Sequence, residues 1–239
     1  MFQTDPFSLI ALFVGLSLVA FVAMIATSYL KIVVVISLVR NALGIQSIPP
    51  NMVINALAMI LTFYIMAPVM SEGWGVLKQE LDAHKGQPAA QVMYETDAAA
   101  KAAEPFRVWL SARTDARSRQ FFVSTAEQLW AKKAGSGERG GKSEEAGAES
   151  EEPAKVDPES FYILIPSFCV SELTKAFQIG FLVYLPFIAI DIIISNILLA
   201  MGMMMVSPVT ISLPFKLLLF VMVNGWTLLI QGLVKGYMI

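Results

Sequence analysis

The chain has 239 residues, of which 56% are hydrophobic and 15% charged, with a formal net charge of -2 and a mean hydropathy of +0.64. That balance is too apolar for an ordinary soluble domain, and the near-neutral charge identifies no partner. A single cysteine, Cys169, and a single histidine, His84, exclude an intrachain disulfide, a His-based zinc site and a Ser-His-Asp triad within the apolar segments.

The charges are concentrated in the middle. Residues 1–71 carry only Asp5, Lys31 and Arg40, and residues 161–239 only Glu172, Lys175, Asp191, Lys216 and Lys235. The pattern predicts an all-α membrane protein. About four long apolar helices are expected, the third block bent or hairpin-like, with a polar, partly disordered external region between helices 2 and 3. The expected organisation is 1–71 for the first two apolar helices, 72–160 for the polar region, and 161–239 for the C-terminal apolar helices. No catalytic residue, cofactor, metal site or nucleic-acid interface is expected.

The N-terminus, Met1-Phe-Gln-Thr-Asp-Pro6, lacks a basic region and does not read as a cleaved signal peptide. Residues 7–30 form one apolar run of about 24 residues, enough to cross a hydrocarbon core about 30 Å thick. Apolar patterning resumes after Lys31 and ends at Arg40, and Ile45-Gln-Ser-Ile-Pro-Pro50 breaks the helix. A second span is expected over 51–70, where Asn51, Asn55 and Thr62 share a face suited to another helix. Lys31 and Arg40 flank the first connection, which puts that loop on the cytoplasmic side and the polar middle outside. Residues 72–130 show scattered helical patterning. Residues 131–157 are rich in Gly, Lys, Glu and Ser and read as a disordered linker.

The third apolar block, 161–206, is about 46 residues, which favours two helical pieces joined near Gly180 or Pro186. It ends in Met201-Gly-Met-Met-Met205, followed by Val206-Ser-Pro208. Methionine is unbranched and adaptable, and Gly202, Pro208 and Pro214 put this cluster at a chain reversal, where core filler is not needed. A deformable apolar turn between membrane-type helices points to a seal or gate over 201–206. A last helix is expected over 212–237. On it Asn224, Gln231 and Lys235 share one face, beside a small-residue stripe of Gly225, Gly232 and Gly236.

Charge inside apolar segments is expensive and is a functional hypothesis by default. Glu172 and Lys175 are three residues apart and can pair on one helix. Asp191 lies about 160° around a regular helix from Lys175, so its partner must come from another helix, another subunit or a water-filled passage. Glu172, Lys175, Asp191, Asn224, Gln231 and Lys235 are therefore the candidate inter-helix or inter-subunit polar contacts.

These residues carry a resemblance. Pro166-Ser-Phe-Cys-Val-Ser-Glu-Leu-Thr-Lys-Ala-Phe-Gln-Ile-Gly-Phe181, Leu185-Pro-Phe-Ile-Ala-Ile-Asp191, the methionine turn and Ile211-Ser-Leu-Pro-Phe-Lys216 resemble the FliP/SctR family. Arg40-Asn-Ala-Leu-Gly44, Pro49-Pro-Asn51 and Met66-Ala-Pro68 agree. The family comprises export-apparatus subunits of bacterial flagella and injectisome type III secretion systems. The resemblance covers both apolar blocks, and the start of the chain leans it toward the injectisome members. Asn224-Gly-Trp226 departs from the pattern, which commonly has an acidic residue before Gly-Trp.

The resemblance implies an inner-membrane export-gate subunit, not an enzyme. Copies, expected to number five, would assemble with a small two-helix S (FliQ-like) subunit, a T (FliR-like) subunit and the larger export-apparatus membrane subunits. Unfolded secreted proteins would pass through the centre. The polar region would be periplasmic, and the assembled helices would be raised toward the periplasm. Met203, Met204 and Met205 would line the closed pore as a gasket, supported by Met201. The alternative from the residues themselves is a small ion-coupled transporter using Glu172, Lys175 and Asp191.

Overall fold

The computed structural model describes residues 6–45, 48–84, 97–136, 156–203 and 205–238. Among them are eight helices and no strand: α1 (Pro6–Ile25), α2 (Tyr29–Ala42), α3 (Asn51–Ala83), α4 (Ala98–Arg113), α5 (Ala116–Ser136), α6 (Phe161–Ala200), α7 (Pro208–Met222) and α8 (Gly225–Lys235). The chain divides into two compact units, 1–68 with 172–239, and 69–171, so α3 and α6 contribute residues to both.

In the first unit α2 is the hub. Apart from Lys31, its Tyr-Leu-Lys-Ile-Val-Val-Val-Ile run is apolar on every side, the pattern of a helix buried all round. No residue from Ala26 to Arg40 is exposed. Ile32, Val35, Ile36 and Val39 form the core with Ile54 and Ala58 of α3, Ala176 and Phe187 of α6, Phe220 of α7 and Leu233 of α8. The helices around it turn many large apolar side chains outward, among them Met52, Phe63, Phe181, Ile193 and Val221.

The apolar run 7–30 is not one helix. It breaks over 26–28, where Thr27 Oγ1 accepts a hydrogen bond from the Tyr29 N–H at 3.5 Å. Such hydroxyls offer the backbone an alternative to the helical ladder. Arg40, at the other end of α2, donates through Nη1 to Asn51 Oδ1 and to the Pro49 carbonyl, tying the 43–50 connection to the start of α3.

The third block is also simpler than expected. α6 is one continuous helix of 40 residues, not two pieces joined near Gly180 or Pro186. Gly180 serves close approach, not bending: a Cβ there would lie 2.3 Å from Leu38 Cδ1 of α2. Conversely, the expected last helix 212–237 begins earlier, at Pro208, and breaks after Met222 into α7 and α8, which are bent by 59°. Asn224 sits at the break with φ 52, the left-handed region that Asn tolerates better than most residues. Gly225 then packs so tightly that a Cβ would meet the Phe220 ring at 2.3 Å.

By length and composition α3 and α6 can each cross a membrane, and the bent α7–α8 pair can form a third, broken span. The protein is an all-α membrane protein.

The second unit is built from the end of α3, α4, α5 and the start of α6. α3 runs on through Pro68 to Ala83, well past the apolar stretch, because its polar half has its own packing. Gly73 lies so close to the Ala102 carbonyl oxygen that a Cβ would stand 2.7 Å from it, and Lys101 pairs with Glu80 at 2.7 Å. Trp109, Leu110, Ile163, Leu164 and Phe168 are buried, with the Trp109 and Phe168 rings 5.2 Å apart. The Asp115 N–H donates to Ser171 Oγ at 2.9 Å. The expected linker 131–157 starts too early, since α5 continues through Ser136; its remainder, 137–155, lies outside the described residues, and Val156 is buried.

Candidate functional site

The methionine turn begins as a helix ending. Gly202, at φ +75, lets α6 close with two reversed hydrogen bonds, from the Gly202 N–H to the Leu199 carbonyl and from the Met203 N–H to the Leu198 carbonyl. This is the Schellman arrangement, which satisfies the last carbonyls of a helix and needs a residue at positive φ. Pro208 then stands at the first turn of α7, where its missing N–H is not needed. The turn therefore presents methionines outward: Met201, Met203 and Met205 are all exposed, Met205 fully. Met204 lies outside the described residues.

Two clusters of charge lie in the same unit. In the first, Glu172 of α6 is buried between Lys31 of α2 and Lys175, each at 3.1 Å. The Tyr237 hydroxyl donates to Glu172 Oε2, and the Lys31 ammonium lies 4.1 Å above the Tyr237 ring. One carboxylate thus faces two cations, with an aromatic face taking part of the excess positive charge. A charge buried here without its partners would carry a desolvation penalty of several kcal/mol.

In the second, Asp191 of α6 accepts from two groups on α7: Ser212 Oγ at 2.6 Å and Lys216 Nζ at 2.6 Å. The Lys216 side chain is almost wholly buried, whereas Asp191 is about a third exposed (4% and 32%). The Ser212 hydroxyl also lies 3.1 Å from the Val209 carbonyl, but the nearer, charged acceptor takes its proton.

The other sequence candidates stand apart from these clusters. Asn224, Gln231 and Lys235 are exposed, and the break at Asn224 removes it from the regular α8 face that Gln231 and Lys235 share. The glycine stripe divides likewise: Gly225 is buried against Phe220, while Gly232 faces open space. Sequence reasoning paired Glu172 with Lys175 alone and missed Lys31, Tyr237, Ser212 and Lys216. Lys31 and Lys216 carried a usable signal, being cations within long apolar runs that contain few carboxylates to meet them. No group of His, Cys, Asp or Glu suited to a metal ion occurs among the described residues.

The FliP family model matches residues 12–233. The chain is 44% identical over 230 residues to the hypersensitivity response secretion protein HrcR of Ralstonia nicotianae, covering 96% of each chain. It is 45% identical over 233 residues to the Yop proteins translocation protein R of Yersinia pestis, covering 98% of this chain and 97% of that one. It is 40% identical over 236 residues to the virulence protein YscR of Salmonella typhimurium, covering 98% and 97%.

Proposed function

Since this chain belongs to the FliP family, as an SctR-like type III secretion protein, we propose that it is a core subunit of the export gate. In this reading several copies, five by family resemblance, surround a protein-conducting passage in the bacterial inner membrane. The complex includes the S and T subunits and the larger export-apparatus membrane subunits, and unfolded substrates cross through it. The polar region 72–160 faces the periplasm. Met201, Met203, Met204 and Met205 form the collar that closes the passage at rest.

The observation that carries this reading is the contrast between the turn and the charges. An export seal needs pliant apolar side chains offered outward, and Met201, Met203 and Met205 are exposed at the end of α6. An ion-coupled transporter needs titratable groups open to a passage. Glu172 is instead buried among Lys31, Lys175 and Tyr237, and Asp191 is bonded to Ser212 and Lys216. The outward apolar faces of α3, α6 and α7 supply area for sister chains and the smaller subunits.

The mass of the detergent-extracted particle tests the assignment. A hetero-oligomer of several copies supports the gate; a monomer or dimer active in ion-coupled uptake would support the transporter.

A further inference from the structure

We infer that Asp191, Ser212 and Lys216 act as positioning residues for the methionine turn, forming a polar clamp on which the turn is aimed. The inference rests on the sealing role proposed for the turn and adds what holds it in place. Asp191 stands nine residues before the end of α6 and Lys216 eight after the start of α7, so the clamp crosses the two helices about 12–14 Å below the turn.

Among the described residues, little else fixes that outer arm. Between Asp191 and Lys216, Leu198 and Ser212 are the buried residues among those described; Ile193, Ile197, Val209 and Phe215 all face outward. Apolar contact is non-directional and tolerates sliding. The clamp is directional, because two donors on one face of α7 meet the two oxygens of one carboxylate: Ser212 Oγ at Oδ1 and Lys216 Nζ at Oδ2. Ser212 and Lys216 are four residues apart, so they stack on a single helix face, and both are buried. Rotation of α7, or a slip by one turn along α6, would break both bonds together. A gate must let its collar yield to a passing chain and then recover one closed position. A clamp set back from the tip permits the first and restores the second.

The test uses intact secretion apparatus in cells, measuring particle yield and leak of a small hydrophilic dye in parallel. Asp191→Asn and Lys216→Met should assemble and leak about tenfold more than the unaltered protein, the factor for losing one charge-assisted hydrogen bond. Ser212→Ala should leak less than these, and the reversed pair D191K/K216D should leak less than either single change. Rescue by reversal is what a generally weakened fold would not give. Particles assembled at normal yield and as tight as the unaltered ones would overturn the clamp if joint Met203→Ala and Met205→Ala still leaks. If Asp191→Asn and Lys216→Met fail to assemble, wild-type tightness in fully assembled Ser212→Ala overturns it. Should the methionine variant itself stay tight, the sealing role fails first.

Discussion

Lys31 and Glu172 meet at 3.1 Å with almost nothing of either side chain exposed, joining the hub helix α2 to α6. Removing Glu172 takes the carboxylate away from the buried Lys31, at about 3–5 kcal/mol, whereas removing Lys31 leaves Glu172 facing Lys175 and the Tyr237 hydroxyl and costs less. Lys31→Met and Glu172→Gln should each lower the steady-state amount of protein and raise its protease sensitivity in membranes. The double change should be milder than the sum of the two, and strict additivity in protease resistance would show that the pair is not coupled.

Gly180 and Leu38 make a second link between the same helices. Gly180→Ala should destabilise the extracted protein by about 1–3 kcal/mol through overpacking, read as a lower midpoint of thermal unfolding. Adding Leu38→Ala should recover part of that loss, since it removes the Cδ1 that the new methyl group would strike. Greater instability in the double variant would place the glycine's role elsewhere.

Asn224 holds the break between α7 and α8 at positive φ. Asn224→Gly should be neutral in secretion and stability. Asn224→Val should weaken the fold by about 1–2 kcal/mol, because a branched side chain resists that conformation. Equal behaviour of the two variants in thermal unfolding would mean that α7 and α8 run on as a single helix.

The long apolar helices could be read from hydropathy, and the site of the turn from Gly202, Pro208 and Pro214 around a methionine cluster. The helix ends could not. The break at 26–28 depends on Thr27 turning its oxygen to the backbone, and that at Asn224 on one residue adopting a minority conformation. Gly180 looked like a flexible joint because a lone sequence does not reveal Leu38 pressed against it. The charge clusters were half legible. As carboxylates within apolar segments, Glu172 and Asp191 required partners, but a helical wheel finds only neighbours on the same helix. Lys31 and Tyr237 come from opposite ends of the chain, and Lys216 from beyond a turn.

Met203 and Met205 are exposed rather than packed into the unit's core, so their loss should spare folding. Joint replacement of Met203, Met204 and Met205 by alanine should leave particle yield and secretion near normal while cells become leaky to small ions. Intact ion gradients in cells with fully assembled variant particles would count against a sealing role.

The central claim, that the methionine turns of sister chains converge on one passage, is tested most directly by cross-linking. With Cys169→Ser as background and Met205→Cys as the only thiol, oxidant or a short bis-maleimide is applied to assembled particles. Covalent dimers of this chain, with the thiol shielded from lipid-soluble maleimide, are the expected result. A thiol that stays uncross-linked in assembled particles and reacts freely from the bilayer would contradict the account.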